Sequence, residues 1–400
     1  MNGRELYEAI YSGEQPDRLP IRPLGLWQET LERWRTEGLG EEADPNTALG
    51  LTSDDTLALP LDLNMLPQFP IRVLEQDAKY VTLVDEFGVT KKMLRKDYER
   101  SEGHKARAGL MSAMSHWLDF PVTDLRTWKQ IYEERFQPRV PQRLPGNWAD
   151  DQPTFISLSE TRWVTFFCFP LVGLFGPLRE LMGLPRLLYT MFDDPGLLHT
   201  MIADLTDFWL AVFAVVLAEV RLDQVTFFED MCATKAPLIS PAAFHEFQAP
   251  GYRKIIRGLR DLGVRHFFVD SDGNANLLIP EFLACGLTGI HPCEVQADMD
   301  VARLRATYPQ LNLNCGIDKR ALAQGPKEIE DELQRCMTVA WREGRYTPAL
   351  DHGAPPDISW ANAQHYARLY RRWCTAPLPA AGSAPTITRC TPGRAICHSS

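Results

Sequence analysis

The chain has 400 residues, 45% of them hydrophobic and 24% charged, with a formal net charge of −10. This is the composition of an ordinary soluble globular enzyme, long enough to bury a full core in one large domain or two medium ones. The negative charge argues against nonspecific attraction to nucleic acid or to an anionic membrane, and the chain carries no RNA- or DNA-binding motif.

The opening stretch, MNGRELYEAIYSGEQPDRLPI, is charged and lacks the apolar stretch and small-residue cleavage site of an export signal. Nine cysteines are scattered without a CxxC pair. Together these features predict a cytoplasmic protein with reduced thiols and exclude a zinc ribbon or finger.

RLPIRPLG, residues 18–25, reads as the first strand. KYVTLVDEFGVTKKMLR, residues 79–95, alternates apolar and polar positions as an antiparallel hairpin does. TRWVTFFCFP, residues 161–170, is the next strand. The apolar run FWLAVFAVVLA, Phe208 to Ala218, is shorter than the roughly 20 residues a bilayer span requires. It reads as part of a buried helix running from Gly196 to Val220. QVTFFED follows as a strand ending near Glu229. Ser240 and Pro241 then form the cap and first residue of a helix reaching about Leu262.

HFFVD, residues 266–270, is a strand, followed by a helix from about Asn276 to Cys285. TGIHP is a short strand, and Asp300 caps the helix containing VARLRATY. LNLNCG precedes a helix from about Pro326 to Arg342. YTPALDH precedes one from about Ser359 to Trp373. Strand, loop and amphipathic helix in repeated succession predict parallel βα units. With strands adding to about eight, the expected architecture is α/β: a (β/α)8 TIM barrel over residues 1–375, with extra N-terminal helices and the inserted hairpin. A doubly wound open sheet ranks second, because no glycine-rich phosphate loop follows an early strand. Residues 376–400, rich in Pro, Ala, Ser and Thr, are expected to be a disordered tail.

In a barrel the chemistry sits on loops at the carboxyl ends of the strands. Five consecutive exits each offer an ionisable group: Glu229 and Asp230, Asp270 and Asp272, His291 and Glu294, Cys315 and Asp318, Asp351 and His352. Carboxylates and imidazoles gathered in one cleft require a cation to balance them, or else share protons and push their pKa values apart. Asp272 also stands in a turn sequence, Asp-Gly-Asn, and GAPPD stiffens the loop that aims His352. Cys293 and Cys315 read as small buried residues, with no base identifiable beside either.

Taken in order, GEQPDRLPI, GLFGPLRELMG, DDPGLLHTMI, FFEDM, SPAAFHEF, DSDGN, GIDKRALAQG and DHGAPPDISWAN resemble the uroporphyrinogen decarboxylase superfamily over roughly residues 3–373. The resemblance implies a (β/α)8 barrel with one deep cleft, and a homodimer. It carries two chemistries. The decarboxylases use no cofactor, hold the pyrrole nitrogens with an early aspartate and hold the propionates with arginines. Their methyltransferase relatives move methyl groups between small molecules and a corrinoid protein, and bind zinc through His-x-Cys and a late Cys.

Asp270, Asp272 and His352 occupy those three positions here, which implies a site for a divalent metal. Zinc is the first choice, and oxygen and nitrogen ligands also admit manganese or iron. Glu229 is then a further ligand or general base, and His291 a proton donor or substrate contact. The counterpart of the early acid is Asp55, or failing that Asp62. The decarboxylase arginine motif is replaced by PLGLWQETLERW, which puts Arg33 and Arg35 on a helix. The expected function is therefore metal-assisted methyl transfer between a small methylated substrate and a corrinoid protein. The alternative is cofactor-free decarboxylation of uroporphyrinogen or a similar acidic heterocycle, with Asp55 stabilising a cationic intermediate.

Overall fold

In the computed structural model, which describes residues 1–100 and 115–375, eleven strands form two sheets. In chain order they are β1 (Thr56–Ala58), β2 (Arg72–Gln76), β3 (Tyr80–Val84), β4 (Thr90–Leu94), β5 (His116–Asp119) and β6 (Trp163–Phe167). β7 (Gln224–Phe228), β8 (His266–Asp270), β9 (Gly289–His291), β10 (Asn312–Asn314) and β11 (Tyr346–Thr347) complete the set. The tail expected over 376–400 lies outside the described residues.

One sheet is wholly parallel, in the order β1-β6-β7-β8-β9-β10-β11. Strands adjacent in this sheet follow one another in sequence, as successive βα units require. Between β1 and β6 the chain inserts the antiparallel sheet β2-β3-β4-β5, which contains the predicted hairpin as β3 and β4. Its turn is fastened by Asp85, whose carboxylate accepts from the Phe87 and Val89 amides at 3.0 and 2.9 Å and from Lys91 Nζ at 2.9 Å.

The parallel sheet curls, so that residues of β1, β6, β7, β8, β9 and β10 line or border one lumen. It is a half-barrel of seven strands; the closed eight-stranded barrel expected from the sequence is not formed. The missing strand is RLPIRPLG. Pro20 and Pro23 have no N–H to give a ladder, so the segment cannot pair along its length. It is held instead at isolated points: the Ala354 amide donates to the Gly25 carbonyl at 2.8 Å, and Tyr370 Oη donates to the Pro20 carbonyl at 3.1 Å.

Alternation along the strands sorts the side chains. Val164, Phe166, Val225, Phe227, Phe267, Val269, Ile290 and Leu313 join the core under the helices. Trp163 and Phe268 face the other way, into a plug formed with Leu6, Tyr7, Ile10 and Tyr11 of the Gly3–Ser12 helix. That helix starts on an Asn2–Glu5 capping box.

The helix expected over Gly196 to Val220 forms as Pro195–Val216, and by length and composition it could span a bilayer. Its buried residues, including Leu198, Met201, Leu205, Trp209, Val212 and Phe213, recur at helical spacing and belong to the main core. Ser240 caps its helix as predicted, accepting from the Ala243 amide at 3.1 Å, but Phe244–Gln248 is a π-helical turn before Ala249–Asp261 resumes the α-helix.

His266 opens β8 beside the plug, its ring 5.1 Å from Trp163 and 5.3 Å from Tyr11, with Nδ1 unbonded. Burial, reinforced by the charges of Arg265 and Arg345, pushes its pKa down to about 4. A depressed folded-state pKa gives stability that is present above the unfolded value and lost as pH falls through the folded one. Acidification from about pH 6.5 to below 4 should therefore cost on the order of 3 kcal/mol at this site. His266→Phe should lose correspondingly less stability in denaturation curves over that range, and parallel pH dependences in the two proteins would refute the assignment.

Candidate active site

The same alternation that buries Phe267 and Val269 turns Asp270, the last residue of β8, into the lumen. Register carries the pattern across the sheet, since Phe228, Asp270 and His291 are level on β7, β8 and β9. Two residues earlier on β9, Gly289 is level with Phe268 and makes room for its ring. A Cβ there would lie 2.4 Å from the Phe268 ring.

Two chambers result. The inner one, about 440 Å³, occupies the lumen and is lined by Tyr7, Asp55, Thr165, Gln224, Thr226 and Asn314 among others. The outer one, about 480 Å³, opens at the carboxyl ends and is lined by Phe169, Phe228, Asp230, Asp272, Cys315 and His352 among others. Arg22, Pro23, Phe167, Asp270 and His291 line both.

Two acid–imidazole pairs line the cleft, Asp270–His291 where the chambers meet and Asp272–His352 in the outer chamber. His352 Nε2 lies 3.4 Å from Asp272 Oδ2, and its ring stacks on Trp27 at 5.7 Å with the planes 17° apart. The bond from Asp272 raises the His352 pKa against the effect of burial. Burial disfavours the Asp272 carboxylate, but the bond and charge of His352 more than compensate, leaving its pKa below the ordinary value. Both shifts favour an imidazolium beside a carboxylate.

In the other pair, His291 Nε2 lies 3.8 Å from Asp270 Oδ1, while Nδ1 lies 3.3 Å from Cys315 Sγ. Burial, with the repulsion of Asp272 and Asp230, raises the Asp270 carboxyl well above its usual range. Burial, with the charge of Arg22, lowers His291 to about 4. Both shifts favour the neutral forms. Neighbouring groups with pKa values driven apart are the acid–base arrangement that competed with a metal centre in the sequence.

Asp272 reaches the cleft because the turn after β8 folds away beneath it. Gly273 adopts a left-handed φ of 82°, a Cβ there would meet the Ala233 carbonyl at 2.6 Å, and its amide donates to Glu294 at 2.9 Å.

Other expectations are corrected. Glu229, expected as ligand or general base, faces away from both chambers. Its oxygens accept from the Leu174, Phe175 and Gly176 amides at 2.6, 2.5 and 2.8 Å and from the Tyr252 hydroxyl, which ties β7 to the start of the Gly176–Met182 helix. Asp55 precedes β1 rather than following it, and Arg18 grips it with two bonds of 2.8 and 2.5 Å. Burial opposes ionisation of Asp55, but Arg18 and Ser53 hold its pKa below normal, so it is a neutralised anion. Asp62 is exposed and bonds the Asn64 amide at 2.9 Å, lining neither chamber. Asp351 is buried, bonding the Lys319 and Val295 amides.

The residues present do not compose a metal shell. Among the described residues no group of three His, Cys, Asp or Glu side chains could hold an ion, and Asp270, Asp272 and His352 are divided between the two pairs.

Arg22 was missed. It sits between the two prolines of RLPIRPLG, and an arginine inside an otherwise apolar stretch was the available clue.

Residues 178–373 match the sequence profile of the family described as uroporphyrinogen decarboxylase (URO-D). No curated protein sequence matches the chain. In structure the chain is similar to a methyltransferase from Methanosarcina mazei, with 14% sequence identity, coverage of 93% of this chain and 99% of that one, and a TM-score of 0.58. At that identity the likeness speaks to the fold. The family profile, the sequentially ordered parallel half-barrel and the cleft at its carboxyl ends agree, and residues 178–373 of the chain belong to the uroporphyrinogen decarboxylase superfamily.

Proposed function

We propose that the chain is an enzyme that transfers a methyl group from a small methoxylated or methylthiolated molecule held in the two-chamber cleft. The observation that carries this reading is the Asp272–His352 pair at the mouth. When a C–O or C–S bond to a methyl group breaks by displacement, the electron pair stays on the heteroatom, which then needs a proton. His352 holds one. Asp272 keeps the imidazole charged, Trp27 fixes its plane, and Nδ1 has no protein acceptor among the described residues. The neutral Asp270–His291 pair borders the same space and can orient the heteroatom without adding charge.

A corrinoid carried by a partner protein would supply the cobalt centre that accepts the methyl group. The exposed rings of Phe167 and Phe169 on the outer chamber are the apolar surface the chain offers a flat macrocycle.

Decarboxylation of a porphyrinogen fits less well. A polycarboxylate needs several free cations, yet among the described residues Arg22 is the one Lys or Arg lining either chamber. The test is to incubate the purified protein with methoxylated and methylthiolated small molecules and cob(I)alamin, following methylcobalamin by absorbance, and in parallel with uroporphyrinogen. Methylcobalamin should form. Coproporphyrinogen formation without methyl transfer would overturn the reading.

A further inference from the structure

We infer that Arg22 is the anchor for a single carboxylate on the substrate, so that the cleft selects small monoanions. The inference rests on reading this cleft as the active site. Cations near the mouth are otherwise committed: Arg18 to Asp55 at 2.5 Å, Arg179 to Asp230 at 3.1 Å, and Lys319 to Asp351 at 3.4 Å. Among the described residues Arg22 is the one Lys or Arg that lines either chamber, and it forms no ion pair. Its guanidinium donates once, from Nη1 to the Tyr7 hydroxyl at 3.3 Å, which leaves the rest of the fork unspent.

A half-buried guanidinium with open N–H groups beside a cavity is matched by a planar anion that accepts two parallel bonds. The rest of the inner chamber describes the remainder of the ligand. Phe167 and Tyr7 offer aromatic surface, and Thr165, Thr226 and Asn314 offer uncharged polar groups. Among the described residues the inner chamber is lined by one Lys or Arg and no second one, which specifies one carboxylate. A second anionic group would find no further Lys or Arg lining either chamber among the described residues. The small aromatic or aliphatic acid so defined would place its carboxylate on Arg22 and its far end toward the outer chamber, where His352 stands.

The test compares benzoate with benzamide, which share a shape and differ in charge, by titration calorimetry on the full chain. The wild type should bind benzoate at least tenfold more tightly than benzamide. Arg22→Gln should weaken benzoate about 10- to 100-fold and leave benzamide within about twofold, because a charge-assisted fork is removed. Arg22→Lys should retain part of the preference, since it keeps the charge without the fork. If Arg22→Gln does not fold, the wild-type preference and the Lys variant still decide.

Equal binding of the two probes, no binding of benzoate at 10 mM (about the weakest affinity worth calling a subsite), or benzoate binding undiminished in Arg22→Gln would each overturn the anchor. Binding is read without turnover, so the two readings fail separately. Arg22-dependent benzoate binding in a protein that transfers no methyl group keeps the anchor and removes the proposed reaction. Methyl transfer with equal efficiency from neutral and anionic substrates does the reverse.

Discussion

His352→Gln is expected to lower kcat for methyl transfer by about 10²- to 10⁴-fold, the usual contribution of a positioned general acid. Glutamine keeps a polar side chain of similar reach but cannot carry the proton that the departing oxygen or sulfur requires. The partner residue gives a sharper test. Asp272 raises the His352 pKa, so the imidazolium persists to higher pH than a free histidine would, and activity should fall as pH rises through that elevated value. Asp272→Asn removes the charge while keeping the shape, and the descending limb of the pH–rate profile should move to lower pH. A profile whose alkaline limb is unmoved by Asp272→Asn would mean that His352 is not the acid. Retention of more than about a tenth of wild-type kcat by His352→Gln would remove it from the mechanism altogether.

The second large effect concerns stability. Glu229→Ala should destabilise the protein by about 3–5 kcal/mol, read as a lower urea midpoint with an unchanged slope. The carboxylate is fully buried and serves three backbone amides and the Tyr252 hydroxyl. Truncation strands all four donors where no water replaces the acceptor. Glu229→Gln should be little better, because its amide group would point N–H at donors on one side. The surroundings cannot relax easily. A Cβ on Gly173 would meet the Phe228 carbonyl at 2.0 Å, so the loop already lies as close to β7 as glycine permits. A shift of less than about 1 kcal/mol for Glu229→Ala would show that this hub does not hold β7 to the Gly176–Met182 helix.

Glu229 also shows what could not be read in one dimension. As a residue after a strand it looked identical to Asp270, and both were expected to face the cleft. The difference is the partner. Leu174, Phe175 and Gly176 lie more than fifty positions earlier in the chain and arrive at Glu229 only through the packing of that loop on β7. Asp55 has the same history with Arg18, and the eighth strand failed for a reason visible in its prolines but outweighed by its apolar pattern. Arg22 was hidden inside that pattern, because an arginine in a short apolar run announces no direction until the opposite wall of the cavity is known.

By itself the sequence determined the parallel βα succession, the inserted hairpin, the Ser240 and Asp300 caps, and the delivery of Asp270, Asp272, His291 and His352 to one mouth. These depend on local periods of 2.0 and 3.6 residues and on capping chemistry, which are encoded within a few positions of each residue. Tertiary structure alone decided that the sheet stops at seven strands, that the mouth splits into a charged pair and a neutral one, and that one guanidinium is left without a counter-ion. Those outcomes depend on burial and on distances between residues far apart in the chain, where the competition between desolvation and pairing is settled.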